Sequence, residues 1–375
     1  MNPNIFCKDT YKLFKILEKY NITIDNVNIT KNKFFMKLYN KIKLILKSIN
    51  ISNNIKINIL KNIDINEYLY DDQFTSKEIK TYIKINLKYA YELTFENNKI
   101  IYFAKKAITS EPNKIIIHMF TIIKLLKELF NRDNSQKVIY FETNQKKKFP
   151  KKNKTILGPN EINSGLTSID LHKNGDIILF RREEVLKVLI HELIHSNLVD
   201  SKLIFSKQLK TFSNLFCVNY NILLNEAFTE SFATLINLFY LNIINNLTIF
   251  ELDIMFYNEI CYSTYICSKI MKYYKIINIG DVIKETADDV NKCANNFPQK
   301  TNVFAYYILK NILLTNHILF GNILNIYTIN YKIKNEEGIN KIIELITDNI
   351  HKLKTIDIID KNNSLRLCLY EINEM

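Results

Sequence analysis

The sequence predicts an α+β fold: a small mixed sheet around one deeply apolar helix, with predominantly helical N-terminal and C-terminal parts. Three observations carry this. Apolar residues recur at helical spacing in residues 31–50 and through most of the chain beyond residue 250. Short β-rich runs punctuate residues 91–180. Between these parts lies an apolar helix over residues 183–197. A chain of 375 residues is about two domains' worth. Residues 1–90 read as a helical N-terminal region, 91–200 as the sheet with its central helix, and 201–375 as a helical C-terminal subdomain. Hydrophobic residues at 47% and charged residues at 24% allow a sizeable core and exclude intrinsic disorder.

The elements follow in order. In 31–50, Phe34, Phe35, Leu38, Ile42, Leu44, Ile45 and Ile49 share helical spacing. Thr75 or Ser76 caps a helix that runs to about Ala90. Runs 91–95 and 99–104, parted by Glu96-Asn97-Asn98, read as a hairpin. Ser110-Glu111-Pro112 opens a helix to about Phe130: a capping Ser, an acid in the first turn and an early Pro. Residues 137–141 read as a short strand. The Lys-rich run 145–153 reads as a solvated loop rather than a phosphate site. Runs 161–169 and 176–180 flank His172-Lys173-Asn174-Gly175, where Asn-Gly marks a hairpin turn. Late in the chain, 301–314 and 336–353 are the clearest helices. No internal repeat is present.

Composition excludes several function classes. Roughly 60 Ile, 50 Asn and 47 Lys stand against 6 Gly, 5 Pro, four Arg and no Trp. Those preferences follow A/T-rich codons. The net charge of +13 therefore reads as codon bias, not as a sign of a nucleic-acid partner. Nucleic-acid readers lean on Arg, and only Arg132, Arg181, Arg182 and Arg366 are present. The N-terminus lacks an uninterrupted apolar stretch, so no secretory signal is read. The longest apolar candidate, 235–250, is broken by Asn237, Asn242, Asn245 and Asn246, so no transmembrane segment is expected. The six cysteines form no CxxC pair and read as reduced thiols of an intracellular protein.

The chemistry centres on His191-Glu192-Leu193-Ile194-His195. Positions i and i+4 share one helix face, so both imidazoles can ligate one metal ion at about 2.0–2.1 Å. Glu192 projects beside that ion, where it can take a proton from a water on the metal. Coincidence is the bland reading. Its flanks argue otherwise: Val185 to Leu198 is deeply apolar, and a charged Glu buried there is costly unless paired or metal-associated. A catalytic zinc site takes three protein ligands and leaves one open position. Glu226 and Glu230, again i and i+4 in an apolar run, offer the third ligand from a second helix.

HExxH followed by Asn-Glu-x-x-x-acid resembles the gluzincin zinc metallopeptidases. The resemblance implies a zincin-like metallopeptidase core of a small mixed sheet and an active-site helix. It implies one Zn²⁺ per chain, held by His191, His195 and Glu226, with Glu192 as general base. Glu230 matches the acid that orients the first zinc His, and Asn225 matches the Asn preceding the ligand Glu. The implied activity is hydrolysis of a peptide or protein substrate. Residues 161–169 then supply the sheet edge that binds substrate, with Asn163, Ser164 and Gly165 allowing close backbone approach. An oxyanion donor is expected from a later segment, with Tyr306, Tyr307 and His317 as candidates. Residues 180–184 (FRREE), HELIH, NEAFTESFA and 302–307 (NVFAYY) also look like a set of uncharacterised metallopeptidase-like proteins of large DNA viruses. Roughly 30 residues separate His195 from Glu226, more than in compact gluzincins, so 200–221 is expected to loop out. His118, His172 and His351 read as structural or solvated. Two rival readings are a catalytically inactive zincin-fold binding or virion structural protein, and a basic surface-binding protein whose HExxH is accidental.

Overall fold

The computed structural model describes residues 5–373 except 25–26, 52–53, 62, 71, 109–111, 152–154, 169–174, 285–295 and 354. In chain order the N-terminal half forms α1 (Lys8–Leu17), α2 (Lys33–Ser48), β1 (Lys56–Ile59), α3 (Lys77–Asn86), β2 (Tyr89–Phe95), β3 (Asn98–Ala104), α4 (Lys114–Leu129), β4 (Lys137–Phe141), α5 (Pro159–Ile162), β5 (Gly165–Thr167) and β6 (Ile177–Leu179). Then follow α6 (Val185–Ser196), α7 (Ser201–Ile204), α8 (Gln208–Asn214), α9 (Leu224–Ile244), α10 (Ile249–Tyr273), α11 (Lys310–Thr315), α12 (His317–Tyr327), β7 (Thr328–Ile329), β8 (Lys332–Ile333) and α13 (Glu336–Ile350). The fold is α+β.

Caps written in the sequence start several helices. The Asn32 side chain accepts from the backbone N–H of Phe34 and Phe35 at the head of α2. Ser76 accepts from Ile79 at the head of α3. Thr248 and Glu251 form a reciprocal box at the head of α10. The expected start at Ser110-Glu111 lies outside the described residues; Asn113 caps α4 by accepting from Ile115.

The main sheet has the order β1-β2-β3-β4-β6-β5. β1, β2 and β3 run antiparallel, β3, β4 and β6 run parallel, and β5 closes the edge antiparallel to β6. Strand side chains alternate between two cores. Ile100, Tyr102, Val138, Tyr140, Ile177 and Leu179 face the large core shared with α4 and α6. Ile101, Phe103, Ile139, Phe141 and Ile178 face a smaller core closed by Ile79 and Ile83 of α3. Burial on both faces explains why β4 reads as an unbroken apolar run.

Three expectations need correction. Residues 1–90 are not wholly helical, because β1 pairs with β2 at the sheet edge. Its four residues, Lys-Ile-Asn-Ile, are mostly solvent-facing, so no buried face marks them. The run 145–153 is not wholly solvated: Lys147 is buried, with Nζ 2.9 Å from Glu184 Oε2. A carboxylate buried at Glu184 requires a cation beside it. The thiols are not all reduced: Cys217 is disulfide-bonded, while Cys7, Cys261, Cys267 and Cys368 are free. Helix α9 is long and apolar enough to cross a membrane by length and composition, but 89% of its most apolar window is buried. It packs against α6, α10 and α11 as a core helix.

Candidate metal centre

Helix α6 lies between the sheet, α4 and α9, and all twelve of its residues are buried. Its His191 and His195 face α9, which presents Glu226 and Glu230 one turn apart. The three candidate ligand atoms lie within 4.8 Å of one another. The Nε2 atoms of His191 and His195 are 3.1 Å apart. Glu226 Oε2 lies 3.3 Å from His191 Nε2 and 3.5 Å from His195 Nε2. A tetrahedral zinc site with bonds of about 2.0–2.1 Å has ligand–ligand edges of about 3.3 Å. These three separations match such edges, so His191, His195 and Glu226 can hold a divalent ion.

Each imidazole is oriented from behind. His191 Nδ1 donates to Glu230 Oε2 at 2.9 Å, and His195 Nδ1 donates to Asp200 Oδ2 at 2.7 Å. Asn225 Nδ2 donates to the same Asp200 oxygen at 3.2 Å. Glu230 in turn pairs with Lys187 of α6 and, at 3.6 Å, with Lys310 of α11. Glu192 faces β5, where Thr167 Oγ1 donates to its Oε2 at 2.7 Å. The Tyr306 hydroxyl donates to Glu226 Oε2 at 3.0 Å.

The electrostatics follow from burial and these partners. Burial opposes charge on His195, yet Asp200 and Glu226 carry its pKa well above the ordinary value. Burial raises the Glu192 carboxyl, and the neighbouring His191 and His195 only partly offset this. Burial alone would raise Glu226, but His195 and His191 bring it well below the usual carboxylate range. Burial and the Glu226 charge push the Tyr306 hydroxyl well above its normal pKa, so it stays protonated and can donate. Glu192, Glu226 and Asp200 have no Lys or Arg ion-pair partner among the described residues. Glu226 Oε2 beside the two Nε2 atoms, with the buried Glu192 alongside and no such cation, suits a divalent ion among them.

His191, Glu192, His195, Glu226 and Tyr306 line a cavity of about 350 Å³ walled by Val188, Leu209, Leu223 and Leu367 together with β5. Asn163, Ser164 and Gly165 all border it, but of the expected edge strand 161–169 only Gly165–Thr167 is strand, since Glu161 and Ile162 belong to the Pro-started α5. A Cβ on Gly165 would stand 3.0 Å from Glu192 Oε1 and from the Ile178 carbonyl oxygen, so only Gly fits without displacement. Asn163 is a strut: its amide donates to the Phe74 carbonyl at 3.1 Å and its Oδ1 accepts from Thr301 at 2.9 Å.

Of the three oxyanion candidates the structure brings in one. Phe304–Leu309 is a π-helical turn, a form that often re-aims side chains at functional sites. From it Tyr306 reaches Glu226, while Tyr307 points away and donates to the Leu365 carbonyl at 2.6 Å. His317 is buried against Phe256, with ring centroids 5.0 Å apart, and does not border the cavity. Tyr307 and His317 are therefore core residues. His118 is structural, 2.6 Å from the Tyr240 hydroxyl; His172 lies outside the described residues.

Sequence reasoning missed Asp200, Thr167 and Lys187. The segment 200–221 does not simply loop out. It contains α7 and α8, and it opens with Asp200 at the centre itself. Lys187 stands one turn before His191 on the same face, and Thr167 two residues after Gly165 on the same strand face, so spacing alone points to both. Comparison of the chain with family models, with curated proteins and with solved structures finds no match.

Proposed function

We propose that this chain is a zinc-dependent metallopeptidase of gluzincin type, built on a zincin-like core. The observation that carries the reading is the convergence of His191, His195 and Glu226 with Glu192 alongside, at one end of an apolar cavity bordered by a sheet edge. Zinc, when bound, supplies a Lewis acid that lowers the pKa of a water towards ~7 and polarises a carbonyl.

The chain's own residues do the rest. Glu192, its pKa raised by burial, accepts the proton of the attacking water and returns it to the leaving amine. Thr167 orients the Glu192 carboxylate. The Tyr306 hydroxyl, held protonated, donates to the oxygen on which charge develops. Among the described residues the outer edge of β5 is not paired to another strand, so an extended peptide can add to it through backbone hydrogen bonds. Glu230 and Asp200 hold the two imidazoles with Nε2 facing Glu226, where they would bind the ion. A catalytically silent scaffold is the weaker reading, since silencing removes the base or a ligand and all four groups are in place.

The test is a pair of variants assayed on an unfolded protein substrate such as dye-labelled casein. Glu192→Gln is expected to lose hydrolysis by a factor of ~10² or more while keeping about one zinc per chain. Glu226→Ala is expected to lose the metal. Full zinc and full activity in Glu226→Ala would remove Glu226 from the ligand set, and a wild-type chain without zinc or hydrolysis would remove the function.

A further inference from the structure

Helix α6 stops directly after its second His. The Leu198 N–H bonds to the His195 carbonyl at 2.8 Å and the Val199 N–H to the Ile194 carbonyl at 3.1 Å. That pair of bonds closes a Schellman turn. The residue in its left-handed position is Leu198, with φ 55°, where Gly ordinarily stands. L side chains resist this conformation, so the surrounding structure must hold it. The turn reverses the chain within five residues of His195. It returns Asp200, at the head of α7, to His195 Nδ1.

Asp200 is buried, and its Oδ2 accepts from two partners on different helices. One is His195 of α6; the other is Asn225 of α9, adjacent to Glu226. A single carboxylate oxygen therefore ties the second imidazole to the residue beside the third ligand. Its other oxygen, Oδ1, has no hydrogen-bond partner among the described residues. The contrast with His191 is informative. Glu230 orients His191 too, but its charge is matched by Lys187 and Lys310, whereas Asp200 has no Lys or Arg partner among the described residues.

We propose that Asp200 is a positioning residue: delivered by the Leu198 turn, it holds the His195 ring with Nδ1 on its own carboxylate and Nε2 facing His191 and Glu226, and so sets the affinity of the centre for zinc. The assignment rests on the metal reading above. A neutral imidazole has one N–H and one lone pair, and an acceptor at Nδ1 leaves the lone pair on Nε2.

The experiment measures zinc affinity of the full chain by competition with a chromophoric chelator, and the visible spectrum of the Co²⁺-loaded protein. Asp200→Ala is expected to bind zinc ~10–100-fold more weakly and to shift the Co²⁺ bands, with unchanged far-UV circular dichroism. Asp200→Asn keeps an acceptor for Nδ1–H and is expected to recover part of that loss. It also serves as the test if Asp200→Ala fails to fold. Leu198→Gly is expected to keep wild-type zinc affinity with unchanged or higher thermal stability, since Gly adopts the turn freely. A wild-type chain that binds one zinc while both Asp200 variants bind it equally tightly, with unchanged Co²⁺ spectra, overturns the role of Asp200 alone. A wild-type chain that takes up no zinc overturns the metal reading and this assignment together.

Discussion

Glu192 illustrates how much one side chain depends on its neighbours. It is buried, flanked by two imidazoles, and held by a single hydroxyl from Thr167. Thr167→Val removes that hydroxyl at constant shape. A hydrogen bond to a charged group contributes about 1.5–3 kcal/mol, so kcat/KM on a casein substrate is expected to fall ~10–100-fold. Zinc content is expected to stay at the wild-type level, because Thr167 touches no ligand atom. At this scale the sequence was informative wherever spacing decides geometry: His191, His195, Glu226 and Glu230 each follow from i and i+4 on a helix. It was silent on Asp200, whose role depends on a left-handed turn built on Leu instead of Gly. It also did not separate Tyr306 from Tyr307, because a π turn decides which of two adjacent rings faces the centre.

At the scale of elements, α6 and α9 are joined by buried charge as well as by apolar packing. Lys187 and Glu230 form an ion pair that is almost wholly buried, with Lys310 beside it. Breaking such a pair costs about 3–5 kcal/mol, because the partner charge is left uncompensated. Lys187→Met is expected to lose stability of that order in urea unfolding, and Lys187→Met with Glu230→Gln is expected to recover much of it. The same pair fixes a pH dependence. Burial would raise Glu230, but Lys187 and His191 pull its pKa down from 4.5 to about 2. A carboxyl depressed in the folded state stabilises above its unfolded pKa. Its contribution is lost as pH falls from about 4.5 towards 2. Thermal unfolding followed between pH 5 and pH 2 is expected to show this loss, and Glu230→Gln is expected to flatten it. Strands and helices with a buried face, such as β4 and α9, were readable from hydrophobic pattern. β1 was not, since an exposed four-residue edge strand carries no such pattern.

At the scale of the whole molecule, a late segment of the chain is bound into its centre. Residues 365–370 are all buried. Glu184 accepts from the backbone N–H of Leu367 and Cys368, and Glu259 from that of Leu369. Lys310 donates to the Leu367 carbonyl while also facing Glu230. Leu367 itself borders the cavity. Truncation after residue 364 therefore strips partners from Glu184, Glu259 and Lys310 at once. Thermal unfolding of the truncated chain is expected to show a large loss of stability, accompanied by loss of zinc. No pattern in the sequence announced this strap, because its partners are charged residues scattered from Glu184 to Lys310. The opposite holds for the net charge of +13: it is conspicuous in the sequence, yet the candidate centre is built on buried carboxylates.

The central claim is that His191, His195 and Glu226 hold one zinc ion. Anomalous diffraction recorded on either side of the zinc absorption edge, from crystals of protein purified without added metal or chelator, tests it most directly. The account expects a single strong peak per chain within about 2.0–2.2 Å of His191 Nε2, His195 Nε2 and a Glu226 carboxylate oxygen. Well-ordered crystals with no peak among these three side chains, or with zinc bound only elsewhere, would contradict it.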